Sequence, residues 1–146
     1  MPIESQVDRK RFQRYFPLDR ENDVQTAISK ALDDLEDGHA LVLSTMDGQR
    51  IAYAAPEEMN TSRLAAITGS LCALGETLGR ELGMSGFNDV MVQMGTGLAV
   101  VQKINGQRLV LMSAAGTGAN LGLASSHTRY CAETLGGMCF TSRDRI

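Results

Sequence analysis

The sequence is poor in the residues that enzyme and metal sites use: its 146 residues include no tryptophan, two histidines and three cysteines. No G-x-S-x-G segment accompanies His39 and His127, so a hydrolase triad is not expected. Cys72, Cys131 and Cys139 form no C-x-x-C pair, which disfavours a disulfide framework. His127 and Cys131 can share a helix face, but structural zinc requires four ligands. We expect no enzyme activity, no metal and no cofactor.

Long hydrophobic runs are also missing: no segment approaches the ~20 apolar residues of a membrane helix. Residues 1–20 lack the uncharged apolar core of a secretory signal, so a cytoplasmic location is expected. The formal net charge is −3, whereas binding to nucleic acid requires a basic face. We therefore expect one soluble domain with no nucleic-acid partner.

Residues 1–21 differ from the rest and are predicted to be a basic, aromatic N-terminal arm. The segment RKRFQRYF (residues 9–16) combines four basic residues with Phe12, Tyr15 and Phe16. Because aromatic residues are depleted in disordered tails, the arm is predicted to dock on its own domain or on a second copy. The alternative is an anionic partner, such as an acidic protein surface or a membrane.

Hydrophobic periodicity over residues 22–136 predicts the element order α-β-β-α-β-β-β-α, and residues 137–146 are a predicted C-terminal extension. The first helix is expected to begin at a capping Asn22. Two dipeptides that tolerate positive φ predict tight two-residue hairpins; they are Asp47-Gly48 and Asn105-Gly106.

The long middle helix has two unusual sides. Its apolar stripe is predicted to cover the sheet and consists of Leu64, Ile67, Leu71, Leu74, Leu78 and Leu82. The other side is small and includes three glycines, each of which costs about 1 kcal/mol relative to alanine inside a helix. A closely packed neighbour would explain them, either the N-terminal arm or the same helix of a second copy, and we prefer the second copy. The predicted dimer interface comprises Ala65, Ala66, Gly69, Ser70, Cys72, Ala73, Glu76, Gly79, Val90 and Val92.

The glycine-rich segment SAAGTGANLG (residues 113–122) resembles a phosphate loop only superficially. It lacks the lysine of a Walker loop, and its glycine spacing is one step too long for the dinucleotide fingerprint. We predict a turn in which Gly116 and Gly118 redirect the chain and Thr117 or Asn120 caps the next helix.

Four segments together resemble a roadblock / dynein light-chain domain: residues 40–55, 62–83, 87–102 and 108–135. They include the Asp-Gly hairpin, the RLAAI opening of the middle helix and the ANLGL entry to the last one. The resemblance implies an α/β (α+β) fold, profilin-like or longin-like, with a five-stranded antiparallel sheet. It places the long helix on one face and the other two helices on the opposite face. It also implies a homodimer in which the third strands pair and the long helices meet.

The same resemblance implies a non-enzymatic platform or regulator of a small Ras-like GTPase. Three arginines are available for partner binding, and the sequence does not choose among them; they are Arg50, Arg63 and Arg80. Two alternatives stay open. One is a small-ligand sensor of profilin-like shape, with the ligand between sheet and terminal helix; the other is a structural unit for self-assembly.

Overall fold

The computed structural model describes residues 2–141, which form a mixed α/β domain with helices on both faces of one antiparallel sheet. The elements are β1 (Ile3–Val7), α1 (Arg9–Phe12), a 3-10 turn (Leu18–Arg20), α2 (Glu21–Asp34), β2 (Gly38–Thr45), β3 (Arg50–Pro56), α3 (Thr61–Glu81), β4 (Asp89–Met94), β5 (Gly97–Ile104), β6 (Leu109–Gly116) and α4 (Leu121–Met138). The predicted order α-β-β-α-β-β-β-α is confirmed as α2 to α4.

Within residues 2–141 the sheet has six strands in the order β1-β3-β2-β6-β5-β4, so the expectation of five strands is corrected. The additional strand is β1, which runs antiparallel to β3 and places Ile3–Val7 opposite Ala52–Pro56. Its sequence, IESQV, has little hydrophobic signal of its own. It becomes a strand because β3 supplies hydrogen-bond partners from a distant part of the chain.

Successive side chains of the strands point to opposite faces and fill two separate cores. On β2, Leu41 and Leu43 face the core covered by α1, α2 and α4, whereas Ala40 and Val42 face the core covered by α3. The predicted division of the helices between the two faces is confirmed, and among the described helices α3 is the one that covers its face.

The N-terminal segment packs into the domain through its aromatic residues. Phe12 and Phe16 are fully buried, and their rings stack with centroids 4.8 Å apart. They lie in the core shared by α2 and α4. The same segment also contacts the end of the chain, because the Phe140 N–H donates to the Tyr15 carbonyl at 2.9 Å. Docking of the arm on its own domain is therefore what the structure contains.

The two predicted hairpin positions are turns, but each connection is longer than the two residues expected. Four residues, 46–49, join β2 to β3, and four residues, 105–108, join β5 to β6. Gly48 and Gly106 supply the positive φ angles, 95° and 77°. In the first turn the Thr45 hydroxyl contacts the Asp47 carboxylate and accepts the Gln49 N–H at 2.9 Å. These contacts hold a loop that includes two residues more than the predicted Asp47-Gly48 pair.

Asparagine side chains begin two of the helices. The Asn60 Oδ1 accepts the Arg63 N–H at 3.0 Å at the start of α3, and the Asn120 Oδ1 accepts the Leu123 N–H at 3.0 Å at the start of α4. The cap expected at Asn22 is wrong, because the 3-10 turn leads directly into α2 at Glu21.

The C-terminal boundary differs slightly from the expected one, since α4 continues to Met138 and the following Cys139 is buried. Residues 142–146 of the predicted extension lie outside the described residues. Among residues 2–141, no helix has both the length and the apolar character needed to cross a bilayer.

Candidate protein-interaction surface

The side of α3 that faces the sheet is the small one, so the sequence-based assignment of its two sides is corrected. Ala65, Gly69 and Cys72, expected at a dimer interface, are buried against this chain's own sheet. Three of the leucines expected in the core point outward, since Leu74, Leu78 and Leu82 are 67%, 61% and 58% exposed. Leu64 and Leu71 of the same predicted stripe are partly buried and pack against the core on this face, as expected. A dimer made by the small side cannot include the three buried residues.

The helical glycines are explained by contacts within the chain. A Cβ on Gly69 would lie 2.8 Å from the backbone Cα and N of Gly48, so α3 passes directly over the β2–β3 turn. A Cβ on Gly75 would overlap the ring of Phe87, and one on Gly79 would lie 3.2 Å from the Met84 carbonyl oxygen. Gly69 allows an approach to backbone that a larger residue would prevent, whereas a larger residue at Gly75 or Gly79 would require the neighbouring Phe87 or Met84 to shift. This close packing compensates the cost of the glycines in helix propensity.

The close contact of Gly69 gives a testable expectation. We expect Gly69→Ala to destabilise the fold by about 1–3 kcal/mol, because the rigid turn backbone cannot move away from the new methyl group. Gly137, near the end of α4, has no atom within 4 Å of an added Cβ, so Gly137→Ala is the matched control. It should be neutral or stabilising by up to about 1 kcal/mol. Urea denaturation of both variants measures the difference, and equal responses would contradict the proposed contact.

The outward side of α3 carries an apolar surface that we call the leucine stripe: the exposed Ile67, Leu74, Leu78 and Leu82, with the partly buried Leu71 at its border with the core. Residues three and four apart are neighbours on a helix surface, so Gly75 lies between Leu71 and Leu78. Because Gly75 packs on Phe87, which leads into β4, the stripe lies on the flank of α3 that is nearer to β4. Ala66, Ser70 and Ala73 are exposed on the other flank.

Strand β4 is the open edge beside the leucine stripe. It pairs with β5 and, within residues 2–141, with no strand on its outer side. Val90 and Val92, both predicted at the dimer interface, are partly exposed on this strand, and Val90 also packs against the core under α3. Met84, Met91 and Met94 are exposed around the same edge. An apolar surface of this extent beside an unpaired strand edge is typical of a protein-binding site.

Arg50 is held by its own chain rather than presented to a partner. Its Nε donates to Asp8 Oδ2 at 2.9 Å, and its NH1 group donates to Thr61 Oγ1 at 2.9 Å. The guanidinium also lies 4.6 Å from the centroid of the Tyr53 ring. These contacts raise the pKa of Arg50, chiefly through the bond to Asp8. Arg50 therefore fastens the segment before α1 to the start of α3.

The other two arginines are exposed on α3. Arg63 lies in the first turn of the helix and Arg80 in the last, where an Arg80 NH2 group donates to Thr77 Oγ1 at 3.2 Å. Glu76, expected at the interface, is half-buried and forms an ion pair with Arg108 at 3.5 Å. Arg63 and Arg80 are thus exposed, whereas Arg50 is partly buried and hydrogen-bonded within its own chain.

The loop between β6 and α4 is occupied by a carboxylate of the chain. The Asp37 side chain accepts the Gly118 N–H at 3.3 Å, and the Asp37 carbonyl accepts the Gly116 N–H at 2.9 Å. A Cβ on Gly116 would overlap that carboxylate. A phosphate placed here would meet a negative charge, so the loop acts as a turn.

The three thiols are buried and belong to the two cores or their margins. Burial raises the pKa of Cys131 to about 12. Burial and the charge of Glu76 raise the pKa of Cys72 to about 11. His127 is exposed while Cys131 is buried, and within residues 2–141 no three histidine, cysteine, aspartate or glutamate side chains form a metal-binding group.

The raised pKa values of Cys72 and Cys131 predict unreactive thiols in the folded protein, and burial limits the access of reagents to Cys139. At pH 8 a thiol whose pKa lies three or more units higher is almost entirely protonated, and only the thiolate attacks disulfide reagents. We expect negligible reaction with 5,5′-dithiobis(2-nitrobenzoate) over minutes under native conditions, and reaction of all three thiols in urea. Rapid native labelling of any of them would show that the thiols are accessible.

A surface groove of about 460 Å³ lies between α2 and α4. Ala27 and Ala31 of α2 and Cys131 of α4 contribute to its lining, and the Lys30–Asp34 ion pair lies at its rim. Its lining residues come from these helices and from Arg20, not from the strands. The ligand-sensor hypothesis expected a pocket between the sheet and the terminal helix. This groove has a different location, but a second cavity of about 350 Å³ lies at the expected place, where Lys103 of β5 and Arg129 of α4 contribute to its lining.

This architecture is similar to that of known proteins of one family. The family model described as "Roadblock/LC7 domain" matches residues 25–113. The roadblock/LC7 domain from Streptomyces avermitilis superposes with a TM-score of 0.70 at 18% identity, over 75% of this chain and 92% of its own. Myxococcus xanthus MglB gives 0.72 at 18% identity, over 79% and 93%. An MglB with a tetrameric arrangement gives 0.72 at 21%, over 80% and 88%. No curated protein sequence matches this chain. The chain therefore belongs to the roadblock/LC7 family.

Proposed function

We propose that two copies of this chain associate through the leucine stripe and β4, and that the dimer is a cytoplasmic, non-enzymatic platform or regulator of a small Ras-like GTPase. The observation that carries the proposal is the leucine stripe beside an open strand edge, in a chain that belongs to the roadblock/LC7 family. The tetrameric arrangement of one MglB supports association in general.

Burial of the leucine stripe supplies the driving force for this dimer. Each leucine removed from water contributes about 1.5–3 kcal/mol, and a two-fold axis buries every stripe residue twice. Pairing of β4 with its counterpart would satisfy the backbone groups of both outer edges. With the axis perpendicular to the sheet, the two α3 helices lie side by side on the same face.

The exposed flank of α3 is the surface we assign to the GTPase. Ala66, Ser70 and Ala73 have small side chains, so this flank is flat, and Arg63 and Arg80 stand at its two ends. Two copies of this flank on one face would give a broad, rigid platform for a folded partner. A guanidinium at its rim can contact the acidic or phosphate groups of a nucleotide-bound protein.

The experiment is a binding and hydrolysis assay with purified small Ras-like GTPases from the source cell, each loaded with GDP or a GTP analogue. We expect at least one to bind, and Ala73→Arg to weaken that binding by about 10-fold or more, because the long side chain obstructs a flat interface. Arg63→Ala and Arg80→Ala are expected to reduce binding less. If no GTPase binds in either nucleotide state, the proposed function is wrong.

Arg50→Ala separates structural from partner-binding arginines. Loss of the charged bonds to Asp8 should lower the free energy of unfolding by about 1.5–3 kcal/mol, measured by urea denaturation. Affinity for the GTPase should stay unchanged at a temperature where the variant is folded. A large loss of affinity with unchanged stability would instead assign Arg50 to the binding surface.

A further inference from the structure

We propose that β1 prevents further assembly of the chain, a role that we call the assembly stop. It pairs with the β3 edge, which would otherwise bind a second copy of this chain, so that copies associate through the β4 edge. The inference goes beyond the proposed function, although it uses the β4 dimer as one of two interfaces. It rests on the pairing of β1 with β3, on the apolar character of β3, and on the poor pairing capacity of the outer edge of β1.

The β3 strand would be a strong template for pairing if it were uncovered. Its central residues, Ala52–Ala55, are apolar and buried, so both of its faces are covered by core side chains. Its far side is occupied by β2, and β1 is the element that pairs with its near side. Unpaired N–H and C=O groups along an apolar edge strand invite a strand from another chain.

The alternation of hydrogen bonds along β1 identifies which residues cover the edge. Asp8 N–H donates to the Ile51 carbonyl at 2.7 Å, directly after the last strand residue. In an antiparallel ladder every second residue makes such bonds, so Gln6 and Glu4 face Tyr53 and Ala55 in the same way. Ser5 and its odd-numbered neighbours direct their backbone groups outward.

The outward edge of β1 is itself a poor template. It is five residues long, and one of its outward carbonyls, that of Ser5, already accepts a long hydrogen bond from Gln25 Nε2 at 3.5 Å. The Ser29 hydroxyl also contacts the Ser5 hydroxyl at 3.4 Å. Short edges partly covered by a helix resist edge-to-edge association. The β1 strand therefore covers a strand edge that readily pairs with another chain, and its own outer edge pairs poorly.

The consequence for assembly follows from symmetry. A chain with one two-fold interface, at β4, stops at a dimer. A chain with two different two-fold interfaces, at β4 and at β3, binds a neighbour at each edge of its sheet and so forms assemblies larger than a dimer. Removing or displacing β1 is expected to convert the dimer into concentration-dependent larger species.

The test uses deletion of residues 2–7, which retains Asp8 with its bond to Arg50 and the buried pair Phe12 and Phe16. Gln6→Pro is the second variant, because proline removes an N–H that faces β3. Ser5→Pro is its matched control, since the N–H it removes points outward. Circular dichroism checks the fold of each variant, and sedimentation velocity measures its mass.

We expect the deletion and Gln6→Pro to give species of at least twice the mass of the full chain at the same concentration. Ser5→Pro should match the full chain, and a synthetic peptide with the sequence of residues 2–8 should reduce the larger species. Folded deletion and Gln6→Pro variants that keep the mass of the full chain would overturn the proposal. So would larger species that form equally with Ser5→Pro.

A Leu78→Glu background separates this proposal from the β4 dimer. If both proposals hold, Leu78→Glu alone is monomeric, and adding the deletion gives a dimer through β3. If the β4 dimer is wrong but the assembly stop is correct, the unmodified chain is monomeric and the deletion alone gives a dimer. If the double variant remains monomeric while folded, the assembly stop is wrong whatever the full chain does.

Discussion

Leu78→Glu is expected to dissociate the proposed dimer while leaving the monomer folded. The Leu78 side chain is 61% exposed in the single chain, so a carboxylate there stays hydrated and changes the free energy of unfolding by no more than about 0.5 kcal/mol. In the dimer the change removes two buried leucines and would bury two negative charges near the axis. If the dimer loses about 3 kcal/mol or more of binding free energy, its dissociation constant rises at least about 100-fold. Light scattering after size-exclusion chromatography measures it.

The matched control is Ala73→Glu, a residue that the sequence placed at the interface. Ala73 is exposed on the flank of α3 away from β4, and the same charge there should leave the dimer intact. The reverse result, a dimer that survives Leu78→Glu and dissociates with Ala73→Glu, would restore the small flank as the interface. A full chain that is monomeric at high micromolar concentration would contradict the dimer altogether.

The second large effect concerns the folded state itself. Phe12→Ala should lower the free energy of unfolding by about 3–5 kcal/mol, because it empties a fully buried, stacked site that no small movement can refill. Phe16→Ala should have a similar effect. Against a typical total of about 5–15 kcal/mol, this loss brings the protein close to unfolding at 37 °C. Urea denaturation followed by circular dichroism gives the value.

Leu18→Ala is the control, since this leucine is 52% exposed just before α2 and should change stability by about 0.5 kcal/mol or less. Equal, small effects of Phe12→Ala and Leu18→Ala would mean that the N-terminal segment is not part of the core. Lys10 and Arg14 are exposed on the same segment, so their replacement by alanine tests the anionic-partner alternative separately from folding.

Local features of the fold are readable from the sequence because they depend on nearby residues. The Asn120 cap and the glycines with positive φ at positions 48 and 106 follow from preferences of single residues. The exact length of the hairpins did not follow, since the Thr45 side chain completes the first turn. Asn22 had the residue type of a cap but lay one position inside the helix.

The orientation of α3 is the main point at which the sequence misled. Periodicity shows that one side of the helix is leucine-rich and the other small, but it does not say which side meets the sheet. The usual assumption is that large apolar residues face the core. Here the tight β2–β3 turn and Phe87 require small residues on the sheet side, which leaves the leucines for a partner.

The sequence by itself determined the order of elements from α2 to α4, the positions of the two hairpin turns, the cap at Asn120, the absence of an intact phosphate-loop motif and the resemblance to the family. These depend on local propensity and on patterns within single segments. Only the tertiary structure decided that β1 joins the sheet, that Arg50 is held by Asp8 and Thr61, and that the leucine stripe is exposed. Each of these depends on contacts between residues far apart in the chain, whose geometry is fixed only when the elements pack together.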